Sequence, residues 1–481
     1  MEQVLVSRED MRWRSAHGAA VFAILCFYML CPVAPERWAA LYSSYGKIFI
    51  ISVAAIYFYK QRFRGSIEVK LVIVYALWLF VTRLLNTDYY LENELDLVIS
   101  RFLCAVILPV GLLLDDGGRE RLLTWLSAVM GGFYFVVTLL GLYAFFTGSY
   151  FYIPPENVVF GIDFGYYFNY LVLLQTNRTI SAVWLYIVWC LMVYQFFKCR
   201  NKLWRVPIAL ALLVFYVGIA CAFDRMMKMS LSLNVAMLLL LWGMRALKIK
   251  KNALKALVLS LAVLVSAGLM FKSFDLVTGG MSMLSERLGL DENRPSDQFI
   301  EYMGEDENSF TDPRELKDSL SADSPRATIY RSFLPTLRDE PLRILIGKYS
   351  DKIMQIPQSY IGLPFLHMHN FLLQTFMLTG ALGFLIVLAF TVLLVRRTAR
   401  LYFSKDPRAT TAVKSLCFPL LGLYIYGSFD CLMFTNSWDT RSLTTDIREL
   451  MFFLLAGLAL AYSYELAPDR EKGETKKKPK N

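Results

Sequence analysis

Residues 371–395 read Phe371-Leu372-Leu373-Gln374-Thr375-Phe376-Met377-Leu378-Thr379-Gly380-Ala381-Leu382-Gly383-Phe384-Leu385-Ile386-Val387-Leu388-Ala389-Phe390-Thr391-Val392-Leu393-Leu394-Val395, without one charged side chain. At 1.5 Å per residue, a helix of about 20 such residues crosses the ~30 Å hydrocarbon core of a bilayer. Comparable runs recur from end to end of the chain, at 17–35, 38–59, 67–86, 98–114, 121–148, 179–198, 203–223, 229–247, 253–271, 367–395, 411–430 and 447–466. The chain of 481 residues is 56% hydrophobic, with a mean hydropathy of +0.44, which is too apolar throughout for a string of soluble domains. The ten-residue alternating segments of a membrane β-barrel are not seen. The expected fold is an all-α polytopic membrane protein with about twelve transmembrane helices. The 17–35 run ends in Cys31-Pro32-Val33-Ala34-Pro35, which lacks a small-x-small cleavage site, and reads as helix one rather than a signal peptide.

Charge orients the spans. Basic clusters stand at Lys60-Gln61-Arg62-Phe63-Arg64, Lys198 through Arg205, Arg245 through Lys255 and Arg396 through Arg408, and the tail carries Lys476-Lys477-Lys478. Between them, Asp88 through Asp96 has four acids and no base, and Thr147 through Asn177 has no Lys or Arg. The positive-inside rule then predicts cytoplasmic N and C termini and one large extracytoplasmic loop. The net charge of +10 is mostly this anchoring, not a nucleic-acid footprint. The organisation read from the chain is spans one to nine over 1–271, the large loop over 272–366, spans ten to twelve over 367–466 and a basic cytoplasmic tail over 467–481. Within the loop, 291–323 is acidic, poor in aromatics and expected to be mobile. Residues 325–366 are expected to form a structured roof. It starts with an amphipathic helix whose apolar positions are Ile329, Phe333 and Leu337, with Ser324 as N-cap and Pro325 at its first position. All eight cysteines lie in or beside membrane segments and none forms a Cys-x-x-Cys pair, so neither a disulfide framework nor a structural zinc site is expected.

The run that carries chemistry is His369-Asn370 at the outer start of span ten, followed after nine residues by Gly380-Ala381-Leu382-Gly383. Offsets of 4, 7, 11 and 14 from His369 place Leu373, Phe376, Gly380 and Gly383 on one helical face. Glycines about three turns below the histidine would let a neighbouring element approach closely. This pattern resembles the His-[Asn/Ser/Gln]-x9-Gly-x-x-[Gly/Thr/Tyr] run of the O-antigen ligase family, shared with many Wzy-type polysaccharide polymerases. Asn177-Arg178-Thr179 is similar to that family's Asn-Arg-Asn-like element. Phe223-Asp224-Arg225 resembles its Ser-Arg-Gly-like element, departing from it in the Asp and Met beside the arginine. Arg326-x-x-x-Tyr330, with Asp339-Glu340-Pro341-Leu342 and Gly347 behind it, looks like the family's loop helix and trailing Pro-Leu…Gly segment.

The resemblance implies transfer of a glycan from undecaprenyl diphosphate to an acceptor hydroxyl, on the outer face of a bacterial cytoplasmic membrane, during polysaccharide biosynthesis. It implies single displacement with inversion; no metal or other cofactor is expected. By the same resemblance His369 is the base, Arg225 and Arg326 bind the diphosphate, and Arg178 supports them. Asn370, Gly380, Gly383, Tyr330 and Arg331 are supporting residues. The chemistry of these side chains agrees. Guanidinium forks onto phosphate oxygens, and fixed positive charge stabilises a departing diphosphate. A histidine near neutrality can take a hydroxyl proton, an effect of roughly 10²–10⁴ in rate.

Plainer roles exist for the same residues. His369 would serve as a cap of span ten, with His367 two residues away, and Arg178 and Arg225 would snorkel at helix ends, although positive charge is disfavoured on the outer side. Arg331, Arg338 and Arg343 compete with Arg326, and Lys47, Asp163 and Asp430 have no assigned role. The aromatic stretch Tyr150 to Tyr170 is dense enough to line a lipid or sugar groove. A flippase would favour repeated halves and broken helices around a midplane site. A metal-dependent polytopic glycosyltransferase would need acids in its outer loops, and the first outer loop offers Glu36 alone. Lipid core and lipid-linked glycan both remain open as acceptor, so ligase and polymerase are not separated.

Overall fold

The protein is described here by a computed structural model covering residues 66–85, 107–153, 162–167, 170–174, 178–246, 252–289, 342–347, 370–428 and 447–466. These residues are mostly helical. The long helices are α1 (Ile67–Leu85), α2 (Asp116–Phe146), α3 (Arg178–Lys198), α4 (Lys202–Cys221), α5 (Arg225–Ala246), α6 (Asn252–Arg287), α7 (Phe371–Phe403), α8 (Cys417–Gly427) and α9 (Ile447–Glu465). Among the described residues, six helices are long and apolar enough to cross a membrane: α2 to α7. Spans one and two, both termini and most of the large loop lie outside the described residues. The helices begin and end close to where the apolar runs do, because local signals fix them. Asp115 accepts the Gly118 N–H at 2.8 Å to open α2, and Asn201 accepts the Leu203 N–H at 2.9 Å to open α4. Helix α6 continues to Arg287, beyond the end of its apolar run at 271.

One feature departs from the sequence reading. The expected all-α fold also contains a three-stranded antiparallel sheet, β1 (Tyr150–Ile153), β2 (Ile162–Tyr167) and β3 (Tyr170–Leu173), between α2 and α3. Tyr152 pairs with Asp163, and Gly165 with Val172. Aromatic and β-branched residues favour strands when half buried, so the aromatic stretch folds as a meander beside the bundle. Of span four, the described part is the helical residue Ile107, a turn at Leu108–Pro109 and the short helix Val110–Leu113, and its first half lies outside the described residues.

In a membrane, lipid tails are as apolar as leucine, and helices associate through close packing and interhelical hydrogen bonds. Helices α3 and α9 are buried nearly all round, with Leu185, Tyr186 and Ile187 of α3 and Leu450 through Ala456 of α9 fully covered. Helix α6 instead exposes Leu261, Leu264, Leu269 and Leu276, the composition of a lipid-facing rim. One polar knot ties the centre: the Asn234 amide donates to the Tyr186 hydroxyl at 2.5 Å, and that hydroxyl donates to the Phe418 carbonyl at 2.7 Å. It joins α5, α3 and α8 at one level.

Candidate active site

The knot fixes which residues share an end of the bundle. Arg178 is the first residue of α3, eight positions before Tyr186, or about 12 Å along the helix. Arg225 is the first residue of α5, nine positions before Asn234, or about 13 Å. Ser428 follows α8, ten positions after Phe418, or about 15 Å. The Ser230 hydroxyl reaches the Gly422 carbonyl at 3.3 Å, which confirms that α5 descends as α8 rises. The Asn370 amide donates to the Ser428 carbonyl at 3.0 Å, so the start of α7 stands at the same level. The backbone starts at Arg178, Arg225 and Asn370 are therefore brought to one end, within about a helical turn of one another in depth.

Asn370 works twice there. Its side-chain oxygen accepts the Leu372 and Leu373 N–H groups at 3.0 and 3.1 Å, capping α7, while its amide nitrogen ties that cap to α8. His369, His367, Arg326, Tyr330 and Arg331 fall outside the described residues, as do Arg338, Lys47 and Asp430. The side chains of Arg178, Asp163 and Arg343 are likewise not described.

Arg225 is half buried. The departure of its surroundings from the family pattern has a local reason: Asp224 is the cap of α5, its carboxylate accepting the Met227 N–H at 2.8 Å and its carbonyl the Lys228 N–H at 3.0 Å. Asp224 is only 8% exposed, and Phe223 before it adopts φ +52°, a left-handed conformation unusual for a bulky residue. One further cation was not singled out from the sequence. Lys228 is 3% exposed, with its ammonium 4.7 Å from the Phe223 ring centre and 5.9 Å from that of Phe274 in α6. The sequence gives it no distinction because it stands one residue before the apolar run at 229–247, where an ordinary interfacial lysine is expected.

The two motif glycines do more than allow approach, and they correct the expectation of one continuous helical face. Gly380 has φ +69° and ψ −170°, which breaks α7 in its course. The segment Leu342–Gly347, with its helical turn Arg343–Ile346, lies in the break. A Cβ on Gly380 would overlap the Leu345 carbonyl and come within 2.6 Å of the Gly347 nitrogen. Gly347 has φ +73°, and a Cβ there would stand 2.5 Å from both the Leu378 carbonyl carbon and the Thr379 nitrogen. Each glycine thus makes room for the other's backbone. The carbonyl of Thr379, beside the break, accepts the Trp78 indole N–H from α1 at 2.8 Å. Backbone groups freed by a break in a membrane helix need such a donor. Gly383, one turn further, lies under the Thr379 side chain and the Trp78 ring.

The fold is that of a multi-pass helical membrane protein, with Arg225 and Asn370 at one end of the bundle and the glycine interlock about 15 Å further along α7. Residues 229–388, about a third of the chain, match a family model described as O-antigen ligase, and that segment includes the His369-Asn370 run and both glycines. No curated protein and no solved structure is significantly similar to the chain.

Proposed function

We propose that the protein transfers a glycan from undecaprenyl diphosphate to an acceptor hydroxyl by an inverting, metal-independent displacement. His369 acts as the base, and Arg225 and Arg326 hold the diphosphate with support from Arg178. The family match is to an O-antigen ligase or polymerase type of membrane enzyme, and the spaced His369-Asn370…Gly380-x-x-Gly383 run inside it carries the finer reading. Three observations support it. Arg225 and Asn370 stand at one end of the bundle, the cap at Asn370 is tied to α8, and Leu342–Gly347 of the large loop is seated on α7. In this reading that end faces the periplasm or cell exterior of the cytoplasmic membrane, and 325–366 roofs it.

The reaction needs a base beside the acceptor hydroxyl and positive charge beside the departing diphosphate, in a place that excludes bulk water. A neutral histidine removes the hydroxyl proton as the oxygen attacks the anomeric carbon. The arginines stay charged at any relevant pH and take up the charge that develops on the leaving oxygen. The test is glycan transfer in proteoliposomes, from purified undecaprenyl-diphosphate glycan and in the presence of chelator. Wild type is expected to transfer, and His369→Ala to lose about 10²-fold or more in rate. An active wild type unaffected by His369→Ala would remove the histidine from the mechanism. Lipid-linked glycan crossing the bilayer without transfer would make the protein a flippase. Product length separates ligation from polymerisation.

A further inference from the structure

We infer that a cavity at the end of the bundle opposite Asn370 holds the headgroup of an anionic phospholipid, its phosphate at Lys405 and its acyl chains leaving along Phe403. The cavity has a volume of about 640 Å³ and opens where α3, α5 and α7 end. Its walls differ in kind. Phe197, Leu241, Met244 and Phe403 supply apolar surface, and Ser404, Lys405 and Thr410, from the segment that follows α7, supply polar surface. Depth places the cavity at headgroup level. The 33 residues of α7 span about 50 Å, more than the ~30 Å hydrocarbon core. The charges of α7 begin at Arg396, seven residues or about 10 Å before Phe403.

Charge is the second observation. Residues 404–415 contain three bases, Lys405, Arg408 and Lys414, and one acid, Asp406. The acid is already occupied: its carboxylate accepts the Arg408 guanidinium at 2.8 and 3.1 Å and the Arg408 backbone N–H at 2.8 Å. Lys414 is engaged as well, its buried ammonium donating to the Ser404 carbonyl at 2.7 Å, so it shapes the wall and is not offered as a ligand. Lys405 is exposed and forms no ion pair among the described residues, which makes it the cation that a phosphate can reach. Beyond Phe197, Arg200, Lys202 and Arg205 add three bases, and residues 199–205 contain no acid. Basic pockets between membrane helices suit anionic lipid headgroups. The apolar wall selects a lipid over a free phosphate. Phe403 stands 60% exposed at the rim, and an acyl chain would cover it where a soluble anion would not.

The experiment titrates the full-length protein in detergent with phosphatidylglycerol, phosphatidylcholine or soluble glycerol 1-phosphate, and counts bound molecules by native mass spectrometry. Phosphatidylglycerol is expected to bind more tightly than phosphatidylcholine. Lys405→Gln is expected to weaken phosphatidylglycerol binding roughly fivefold, the scale of one cation at a lipid surface, while Lys405→Arg stays near wild type. Phe403→Gln is expected to weaken it too. Lys202→Gln removes the same charge at the same end but outside the cavity wall, and is expected to leave the affinity near wild type. Lys202, Phe403 and Lys405 are all exposed, so none of these variants disturbs the packed interior. Equal losses from Lys202→Gln and Lys405→Gln would reduce the effect to diffuse surface attraction and overturn the site. Equal affinity for the two lipids overturns it as well. Displacement of phosphatidylglycerol by glycerol 1-phosphate, with Phe403→Gln without effect, would replace the lipid with a soluble phosphate compound. Glycan transfer is not read in this experiment, so its outcome is independent of the donor and of His369.

Discussion

Two glycines illustrate how much a single missing methyl group can determine. At Gly380 and Gly347 the backbone is in a region that costs L-residues about 1–3 kcal/mol, and each absent Cβ is replaced by backbone of the other segment. Gly380→Ala and Gly347→Ala are each expected to lower the unfolding midpoint in detergent and to unseat the loop, abolishing transfer. Trp78→Phe keeps the ring beside Gly383 but loses the indole donor, and is expected to cost only about 0.5–1.5 kcal/mol. A thermal-shift series in which Trp78→Phe is worse than Gly380→Ala would contradict this ranking. The glycine positions were visible in the sequence as a spacing. Their conformation was not, because glycine inside an apolar run is common in membrane helices and only the Leu342–Gly347 backbone, remote in sequence, requires the break. Lys228 escaped notice for a similar reason: Phe274, which helps to bury it, lies in another helix.

Helix α7 shows how an element is set by its first residue. Asn370 both caps the helix and holds Ser428, and substitutions can separate the two roles. Asn370→Ala is expected to cost about 1 kcal/mol. Asn370→Asp retains the acceptor for Leu372 and Leu373 but has no donor for the Ser428 carbonyl. Hydrogen exchange of the 371–376 amides is expected to rise in the Ala variant and to stay near wild type in the Asp variant. Equal exchange in both would mean that the tie to α8, not the cap, holds the start of the helix. Helix positions were legible because apolar length and charge asymmetry record them directly. The strands β1 to β3 were not, since Tyr150 to Tyr170 mixes aromatics, glycines, prolines and two acids with too short an alternation to separate a sheet from a loop.

Across the whole molecule the two ends differ in kind. Opposite the Asn370 end, Glu68 is fully buried, accepts the Tyr464 hydroxyl at 2.6 Å and faces Arg397 at 3.5 Å, while the Arg397 guanidinium lies 4.2 Å from the Tyr464 ring centre. Nearby, buried Arg119 bonds Asp116 at 2.7 Å and also Glu465. These contacts bind α1, α7 and α9, and α2 to α9, into one polar girdle. Arg397→Met leaves the Glu68 carboxylate without its cation and is expected to cost about 3–5 kcal/mol. The double variant Glu68→Gln with Arg397→Met is expected to recover most of that loss. Unfolding midpoints of the single and double variants measure the coupling, and additive losses would show that the pair is not a unit.

The indole of Trp78 also bears on how far this site can be transplanted. It lies well outside 229–388, yet it supplies the hydrogen bond that the broken α7 needs. A chimera that grafts only 229–388 into a foreign bundle would import the histidine, the glycines and Arg326 but leave the Thr379 carbonyl without its donor. The matched segment is therefore not a cassette: α1 must travel with it, and a graft that keeps the broken α7 will require a tryptophan, or another donor of equal reach, in the host helix that takes its place.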